Sequence, residues 1–196
     1  MMPVYLAASE YIDWVHPSVQ QQAARCAEGA ADSQAIAQRC FEWVRDNIQH
    51  SMDYQMNPVT CKASDVLQHK TGYCYAKSHL LAALLRANQI PAGLCYQRLS
   101  VDDQGAPYCL HGLNALWLQG IGWYRVDARG NKPGVQADFD PPREQLAFHL
   151  QVAQERDFPE IWPEPLPCVV ETLTTHKTFQ AVYQNLPDIE VASIAS

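Results

Sequence analysis

The chain of 196 residues has the length of one domain, and 47% of its residues are apolar, which is enough for a sizeable core. Its formal net charge is −7 and its basic residues are scattered, so we expect neither nucleic acid nor an anionic membrane surface as a partner. No apolar run approaches the roughly 20 residues that span a bilayer, and the first residues lack the basic start and long apolar stretch of a signal peptide.

Seven cysteines occur in the chain, an odd number without any CxxC pair. This pattern favours free thiols in a reducing compartment over a disulfide framework, so we expect a cytoplasmic protein. The cysteines are Cys26, Cys40, Cys61, Cys74, Cys95, Cys109 and Cys168.

The N-terminal part of the chain predicts helices. Residues 3–15 are rich in aromatic and aliphatic side chains, which indicates a docked arm or a short strand and helix. Pro17 fits the first turn of a helix that runs to about Glu28. Asp32 or Ser33 can cap a second helix, whose apolar residues recur at helical spacing.

A helix that begins close to Cys74 is the centre of the predicted fold. Residues 49–62 have no clear period and predict a loop, and a short helix follows at 64–67. Thr71 can cap the central helix through its hydroxyl group. Apolar residues then recur at helical spacing until Asn88, which tolerates the left-handed conformation that ends helices. A thiol in the first turn lies at the positive end of the helix dipole, which favours the thiolate.

Strands follow the central helix. Residues 94–99 alternate in polarity, residues 108–118 form the next strand, and residues 123–128 form a third. Turn signals separate the three segments. The order predicts an α+β fold in which helices pack on an antiparallel meander.

The last third of the chain predicts an extension that wraps on the same domain. A strand follows the proline pair at 141–142, with Leu146, Phe148 and Leu150 alternating along it. The prolines of residues 158–167 make that segment extended and irregular, and the segment after it ends in a helix.

Cys74, His111 and Asp127 supply the three side chains that nucleophilic thiol chemistry needs. The thiol needs a base that takes its proton and returns it to the leaving group. The base in turn needs an acceptor on its other ring nitrogen. His111 lies on the second predicted strand and Asp127 ends the third. Because 111 and 127 sum to an even number, the two side chains reach one face of a hairpin only across an odd-membered turn, such as residues 119–121, or a bulge.

Four stretches carry a family resemblance, namely residues 62–74, 87–92, 111–117 and 122–127. Together they resemble the transglutaminase-like superfamily of papain-related folds, over roughly residues 34–130. The resemblance implies a papain-like core in which N-terminal helices, with the nucleophile helix, pack on an antiparallel β-sheet.

The same resemblance divides the chain into three predicted parts. Residues 1–33 form an N-terminal arm and helix, residues 34–130 form the catalytic core, and residues 131–196 form a C-terminal extension packed on the same domain.

The resemblance also implies roles for the three side chains. Cys74 is the expected nucleophile, His111 the general acid/base and Asp127 the residue that orients the histidine. The thiol then attacks an amide or ester carbonyl, and water or an amine resolves the acyl-enzyme. No cofactor and no metal is implied, a peptide or protein substrate is expected, and the oligomeric state stays open.

Several residues are candidates to stabilise the oxyanion of such a reaction. The Cys74 backbone amide is one expected donor. Gln68 precedes Cys74 by six positions, and papain-like proteases carry an oxyanion-binding glutamine at that spacing; a polar residue that closes a short helix is the alternative interpretation. Tyr54 and Tyr73 are the other candidates at the cleft.

Three alternatives compete with this interpretation. Arylamine N-acetyltransferases use cysteine, histidine and aspartate in the same order, but the chain is short for that family and lacks its arginine-rich approach to the cysteine. A binding or scaffold module could keep the fold without catalysis. Cys74, His79, Cys109 and His111 could hold a metal ion, although the spacing of the first two on a helix suits one ion poorly.

Overall fold

Helices and strands both build the structure, a computed structural model that describes residues 2–189. Met1, in the predicted N-terminal arm, and residues 190–196, in the predicted C-terminal extension, lie outside the described residues. The helices are α1 (Pro17–Ala27), α2 (Ser33–Asn47), α3 (Ala63–His69), α4 (Cys74–Ala87), α5 (Pro167–Thr175) and α6 (Phe179–Tyr183). The strands are β1 (Gln49–His50), β2 (Thr71–Gly72), β3 (Ala92–Ser100), β4 (Tyr108–Leu118), β5 (Gly122–Val126), β6 (Asp138–Asp140), β7 (Arg143–Gln145) and β8 (Arg156–Asp157). The mixture confirms the predicted α+β class.

The two N-terminal helices begin where the sequence places a start signal. α1 has proline at its first position, and the His16 ring accepts a hydrogen bond from the Ser18 backbone N–H. Asp32 caps α2, because its carboxylate accepts a hydrogen bond from the Ala35 N–H at 2.8 Å. Both helices pack against α4, which places their apolar faces in the core.

α4 lies at the centre of the molecule, where Cys74 and every residue after it as far as Arg86 are buried. It packs against α1, α2 and α3 as well as against β3 and β4. The buried Arg86 guanidinium donates hydrogen bonds to three carbonyl oxygens. Those of Ala7 and Pro163 belong to distant segments, so Arg86 ties the N-terminal arm and the proline-rich segment to the core.

The main sheet has the strand order β5-β4-β3-β8, and every pair in it is antiparallel. β4 covers the predicted range 108–118 and pairs with β3 along the whole length of β3. Its pairing with β5 begins only at Asn114. The first half of β4 therefore has one edge that β5 does not cover.

The start of the central helix differs from the prediction. Thr71 does not cap α4, because it lies in β2, where it pairs with Gln49 and donates its hydroxyl to the Gln49 carbonyl at 3.1 Å. Tyr73 takes the N-cap position without a side-chain hydrogen bond. At the other end, Gln89 rather than Asn88 has the left-handed conformation, with φ of 59°. β1 and β2 have two residues each, too few for a pattern in the sequence to reveal them.

The strand predicted after the proline pair is confined to β7, and residues 146–150 form no strand. Two of these residues instead contact Asp127 and His111. The Ala147 N–H donates to Asp127 Oδ2 at 3.2 Å. The Phe148 ring packs edge-on against His111 with 4.9 Å between centroids. Tertiary contacts therefore override the alternating pattern of this segment.

Candidate active site

Cys74, His111 and Asp127 come from three different elements. Cys74 is the first residue of α4, His111 lies in β4, and Asp127 directly follows β5. A three-residue turn at 119–121 joins the two strands, with Leu118 opposite Gly122. The prediction of an odd-membered turn is confirmed, since this register places Asp127 diagonally across from His111 on the same face.

The three side chains form a series. His111 Nε2 lies 2.7 Å from Asp127 Oδ2. Cys74 Sγ accepts a hydrogen bond from the N–H of Gly112, the residue next to His111, and the Cys74 side chain is close enough to raise the pKa of His111. Asp127 is wholly buried, whereas Cys74 and His111 are 7% and 5% exposed. The series therefore runs from the interior outward to the thiol.

The electrostatics of the pair favour a charged histidine. Burial lowers the pKa of His111, but the charges of Asp127 and Cys74 outweigh it and raise that pKa to about 10. Burial raises the pKa of Asp127, but His111 and two backbone N–H groups outweigh burial. The pKa of Asp127 therefore lies below its ordinary value. The two N–H groups belong to Arg129 and Ala147. Asp127 is thereby held ionised and fixed in orientation.

Gly112 allows β4 to approach the start of α4 closely. Its N–H donates to Cys74 Sγ at 3.4 Å. A Cβ at this position would lie 3.1 Å from the Tyr75 Cα and 3.2 Å from the Tyr75 backbone nitrogen. A larger residue would clash with the first turn of α4, so the glycine allows the short distance between α4 and β4.

A cavity of about 440 Å³ is lined by Cys74 and His111. Apolar side chains from several elements contribute to its walls, and they include Met52, Tyr73, Leu99, Leu110, Phe148 and Leu186. A concave, largely apolar site with a few convergent polar groups is the usual form of a substrate pocket.

A polar cluster of His50, Asp53, Arg129 and Lys132 borders the same cavity. Asp53 forms ion pairs with Arg129 at 2.7 Å and with Lys132 at 2.6 Å, and His50 Nδ1 lies 3.6 Å from its carboxylate. Burial raises the pKa of Asp53, but hydrogen bonds from Arg129 and Lys132 lower it to about 2. Burial and the Arg129 charge hold the pKa of His50 well below its ordinary value.

Sequence reasoning missed this cluster. Arg129 lies two positions after Asp127, and its backbone N–H donates to that carboxylate at 3.1 Å. That proximity in sequence was the one available signal. His50 and Asp53 lie in a segment without periodicity, and only the tertiary structure brings them to the cavity.

The predicted oxyanion candidates fall in different places. Tyr73 lines the cavity, but its hydroxyl donates to the Phe179 carbonyl at 2.6 Å. Gln68 is exposed on α3 and is not part of the cavity wall. Tyr54 is 59% exposed and borders a neighbouring cavity instead. The structure thus brings only Tyr73 beside Cys74.

The metal alternative finds no support in the geometry. His79 is buried with its Nδ1 2.8 Å from the Cys61 carbonyl oxygen, on the far side of α4 from the cavity wall that contains Cys74. Burial lowers the pKa of His79 to about 4. Within residues 2–189, no group of three or more histidine, cysteine, aspartate or glutamate side chains is placed to hold a metal ion.

A family model described as the transglutaminase-like superfamily matches residues 20–128. The chain belongs to the transglutaminase-like superfamily. The matched range includes Cys74, His111 and Asp127. No curated protein sequence matches the chain. No helix within the described residues combines the length and apolar character that crossing a membrane requires.

Solved structures are similar to this chain over about two thirds of its length. A candidate cysteine protease from Cytophaga hutchinsonii is 21% identical with a TM-score of 0.53, over 65% of this chain and 42% of that one. The periplasmic domain of TgpA from Pseudomonas aeruginosa is 20% identical with a TM-score of 0.45, over 63% and 45%. Red sea bream transglutaminase is 15% identical with a TM-score of 0.39, over 65% and 26%. The chain spans less than half the length of these proteins.

Proposed function

We propose that the chain is a cysteine-dependent amide hydrolase or acyltransferase without a cofactor. Cys74 is the nucleophile, His111 the general acid/base and Asp127 the orienting carboxylate. The observation that carries the proposal is the position of His111, which hydrogen-bonds Asp127 through Nε2 and directly precedes Gly112, whose N–H donates to Cys74 Sγ.

The reaction follows from this arrangement. The Cys74 sulfur attacks the carbonyl carbon of the substrate and forms a tetrahedral adduct, while His111 carries the proton that the thiol has released. The carbon–nitrogen bond then breaks, and His111 gives that proton to the leaving amine. Water or a second amine attacks the resulting thioester, His111 takes its proton, and the sulfur leaves and is protonated again.

The start of α4 supplies part of the electrostatic stabilisation. The first N–H groups of a helix have no acceptor within it, and the helix dipole places positive potential there. Because Cys74 is the first residue of α4, we expect its backbone N–H to donate to the oxyanion that forms beside the sulfur.

The surroundings of the site also favour a peptide or protein substrate. The cavity is large enough for several atoms of an acyl group on either side of the reacting carbonyl.

All seven cysteines are free thiols, which supports a reducing compartment such as the cytoplasm as the proposed location.

Trapping the acyl-enzyme tests the proposal. A panel of peptides and glutamine-containing substrates is incubated with the wild-type protein, the reaction is stopped with acid, and the protein is weighed by mass spectrometry. We expect the mass of an acyl group on the tryptic peptide that contains Cys74. The matched control is the Cys26→Ala variant, which should be acylated equally. A panel that leaves Cys74 unmodified, in a protein whose Cys74 also resists iodoacetamide, would favour the binding or scaffold module.

A further inference from the structure

One half of β4 has an edge beside Cys74 that no described strand covers, and we call it the free edge. Its Leu110 carbonyl accepts a hydrogen bond from the Tyr75 hydroxyl at 2.5 Å, so this edge offers a peptide N–H donors only. β5 pairs with β4 only from Asn114 onward, and no described strand pairs with that edge before it. Two N–H groups on this edge have acceptors outside the sheet. Leu110 N–H donates to the Pro187 carbonyl at 2.7 Å, and Gly112 N–H donates to Cys74 Sγ at 3.4 Å. Two residues along a strand span roughly 7 Å, so the two donors are about that far apart.

The segment that reaches Leu110 is held across the cavity, and we call residues Phe179–Ile189 the strap. The backbone carbonyl of Phe179, its first residue, accepts a hydrogen bond from the Tyr73 hydroxyl at 2.6 Å. Tyr73 directly precedes the nucleophile in the chain. Tyr183 and Leu186 contribute to the cavity wall. The strap therefore begins on one side of Cys74 and ends on the edge of β4.

One ion pair anchors the far end of the strap. The Asp188 carboxylate accepts two hydrogen bonds from the Arg98 guanidinium, both at 2.7 Å. Arg98 lies in β3, is itself nine-tenths buried, and has its guanidinium over the Tyr108 ring. A bidentate pair of this kind fixes orientation as well as position.

We propose that the strap occupies the place of the substrate, and that the substrate is an extended peptide bound through its main chain to the free edge of β4. The proposal rests on the proposed function of Cys74. Carbonyl groups on one side of an extended peptide recur at every second residue, which is the spacing of the Leu110 and Gly112 donors. A peptide with one carbonyl on the Leu110 N–H thus places a second carbonyl beside the Cys74 sulfur.

Two consequences follow. The bond that is attacked is a main-chain amide, because the edge of β4 aligns the main chain with the sulfur. The carbonyl of Pro187 must leave the Leu110 N–H before a peptide can bind, so the strap competes with the substrate. A small reagent needs only the cavity and does not compete.

Alkylation of Cys74 by two reagents of different size tests the proposal. Iodoacetamide is the small probe. A tetrapeptide chloromethyl ketone is the extended probe, which forms a sulfur–carbon bond and releases chloride. In Asp188→Ala the anchor is lost, and we expect the rate with the peptide reagent to rise about fivefold, which corresponds to about 1 kcal/mol. The rate with iodoacetamide should stay within about twofold of wild type.

The matched control is Asp138→Ala, which removes an ion pair of 2.9 Å to Arg45 on a different face and should change neither rate. Ile189→Ser is a second variant that removes an apolar contact of the strap with the core without touching the ion pair or the cavity wall, and it should also accelerate only the peptide reagent. An equal acceleration of both reagents, or none in either strap variant, would overturn the competition and leave the proposed function intact. Failure of iodoacetamide to label Cys74 in the wild type would instead overturn the proposed function.

Discussion

In two regions of the molecule a cysteine contacts polar groups, and the two sets of contacts differ in the chemistry that they allow. At the start of α4, Cys74 contacts the His111 ring and the Gly112 N–H. Between α1 and α2, Cys26 and Cys40 hydrogen-bond each other, and Gln22 donates to Cys26 at 3.7 Å. Both regions are buried.

The difference lies in the proton acceptor and in the helix end. The hydrogen bond from Cys40 is the largest influence on Cys26 and lowers its pKa to about 7 despite burial. Its neighbours, a thiol and an amide, cannot take a proton and return it to a leaving group. Cys26 also lies in the last turn of α1, at the negative end of the dipole, whereas Cys74 opens α4. An acidic thiol alone therefore does not complete a catalytic site, which also needs a base and its orienting carboxylate.

Removing each thiol gives the largest expected contrast. Cys74→Ala should abolish turnover of any peptide or ester substrate and leave the melting temperature within a few degrees of wild type, because a residue beside a cavity contributes little packing. Cys26→Ala should keep turnover and lose about 1 kcal/mol of stability from the core. Initial rates and thermal unfolding by circular dichroism measure both. Unfolding of the Cys74 variant together with inactivity of the Cys26 variant would reverse the comparison.

Changing the orienting carboxylate should have the next largest effect. Asp127→Asn keeps the shape of the side chain but favours the wrong tautomer of His111, and we expect kcat to fall by about 10⁴-fold. KM should change much less, since Asp127 is wholly buried and does not line the cavity. Steady-state kinetics separate the two constants. A variant with wild-type kcat would show that His111 needs no orienting partner.

The pH dependence of alkylation sharpens the comparison between the thiols. Cys74 should react with iodoacetamide at pH 6, because it opens α4 beside His111, whose pKa is raised to about 10. Cys61, Cys95 and Cys109 should be nearly inert there, since burial raises the pKa of each to about 12. In His111→Ala we expect the Cys74 rate at pH 6 to fall about tenfold or more.

Peptide mapping of the alkylated protein gives the rate for each cysteine, with Cys26 as the internal reference. The Cys26 rate should not change in His111→Ala, because the two residues are in different regions. If Cys74 reacts no faster than Cys26, and its alkylation rate is the same in His111→Ala as in wild type, the ion pair at the start of α4 does not form.

The smallest expected effect is on stability. Folding raises the pKa of His111 from 6.5 to about 10, so its contribution is complete below about pH 6.5 and is lost as the pH rises through about 10. Folding lowers the pKa of Asp127, so its contribution is present above its ordinary pKa of 3.8 and is lost as the pH falls through the lower value. Asp127→Asn should therefore cost about 1 to 3 kcal/mol near pH 5 to 6.

Urea unfolding of both proteins at several pH values measures this difference in the free energy of unfolding. We expect the gap between wild type and variant to narrow as the pH approaches 10. A gap that widens with pH would contradict the charged state of the pair.

Local pattern was enough to predict the elements that carry the site. The helical spacing after Cys74 predicted α4, and the alternation of residues 108–118 predicted β4 with its observed bounds. The number of residues in the turn at 119–121 then decided which faces His111 and Asp127 share, because side chains alternate strictly along a strand. Periodicity and parity are properties of the chain itself, so they need no tertiary information.

Two of the wrong assignments share one cause, which is a partner far away in sequence. Thr71 satisfies the rules for a helix cap, yet its hydroxyl donates to the carbonyl of Gln49 in the neighbouring strand. Gln68 is a different case, because it has the spacing of an oxyanion donor but its side chain is exposed and outside the cavity wall. Phe148 belongs to a strand pattern, yet its ring packs on His111.

The sequence by itself determined the class of the fold, the central helix, the meander and the three residue types of the candidate site, because propensity and periodicity act locally. Only the tertiary structure decided how these residues are used. It joined His50, Asp53 and Arg129 into one cluster beside the cavity, and it placed Pro187 on the edge of β4. Such contacts join segments tens of residues apart, and their energy depends on burial and distance, which no local pattern in the chain encodes.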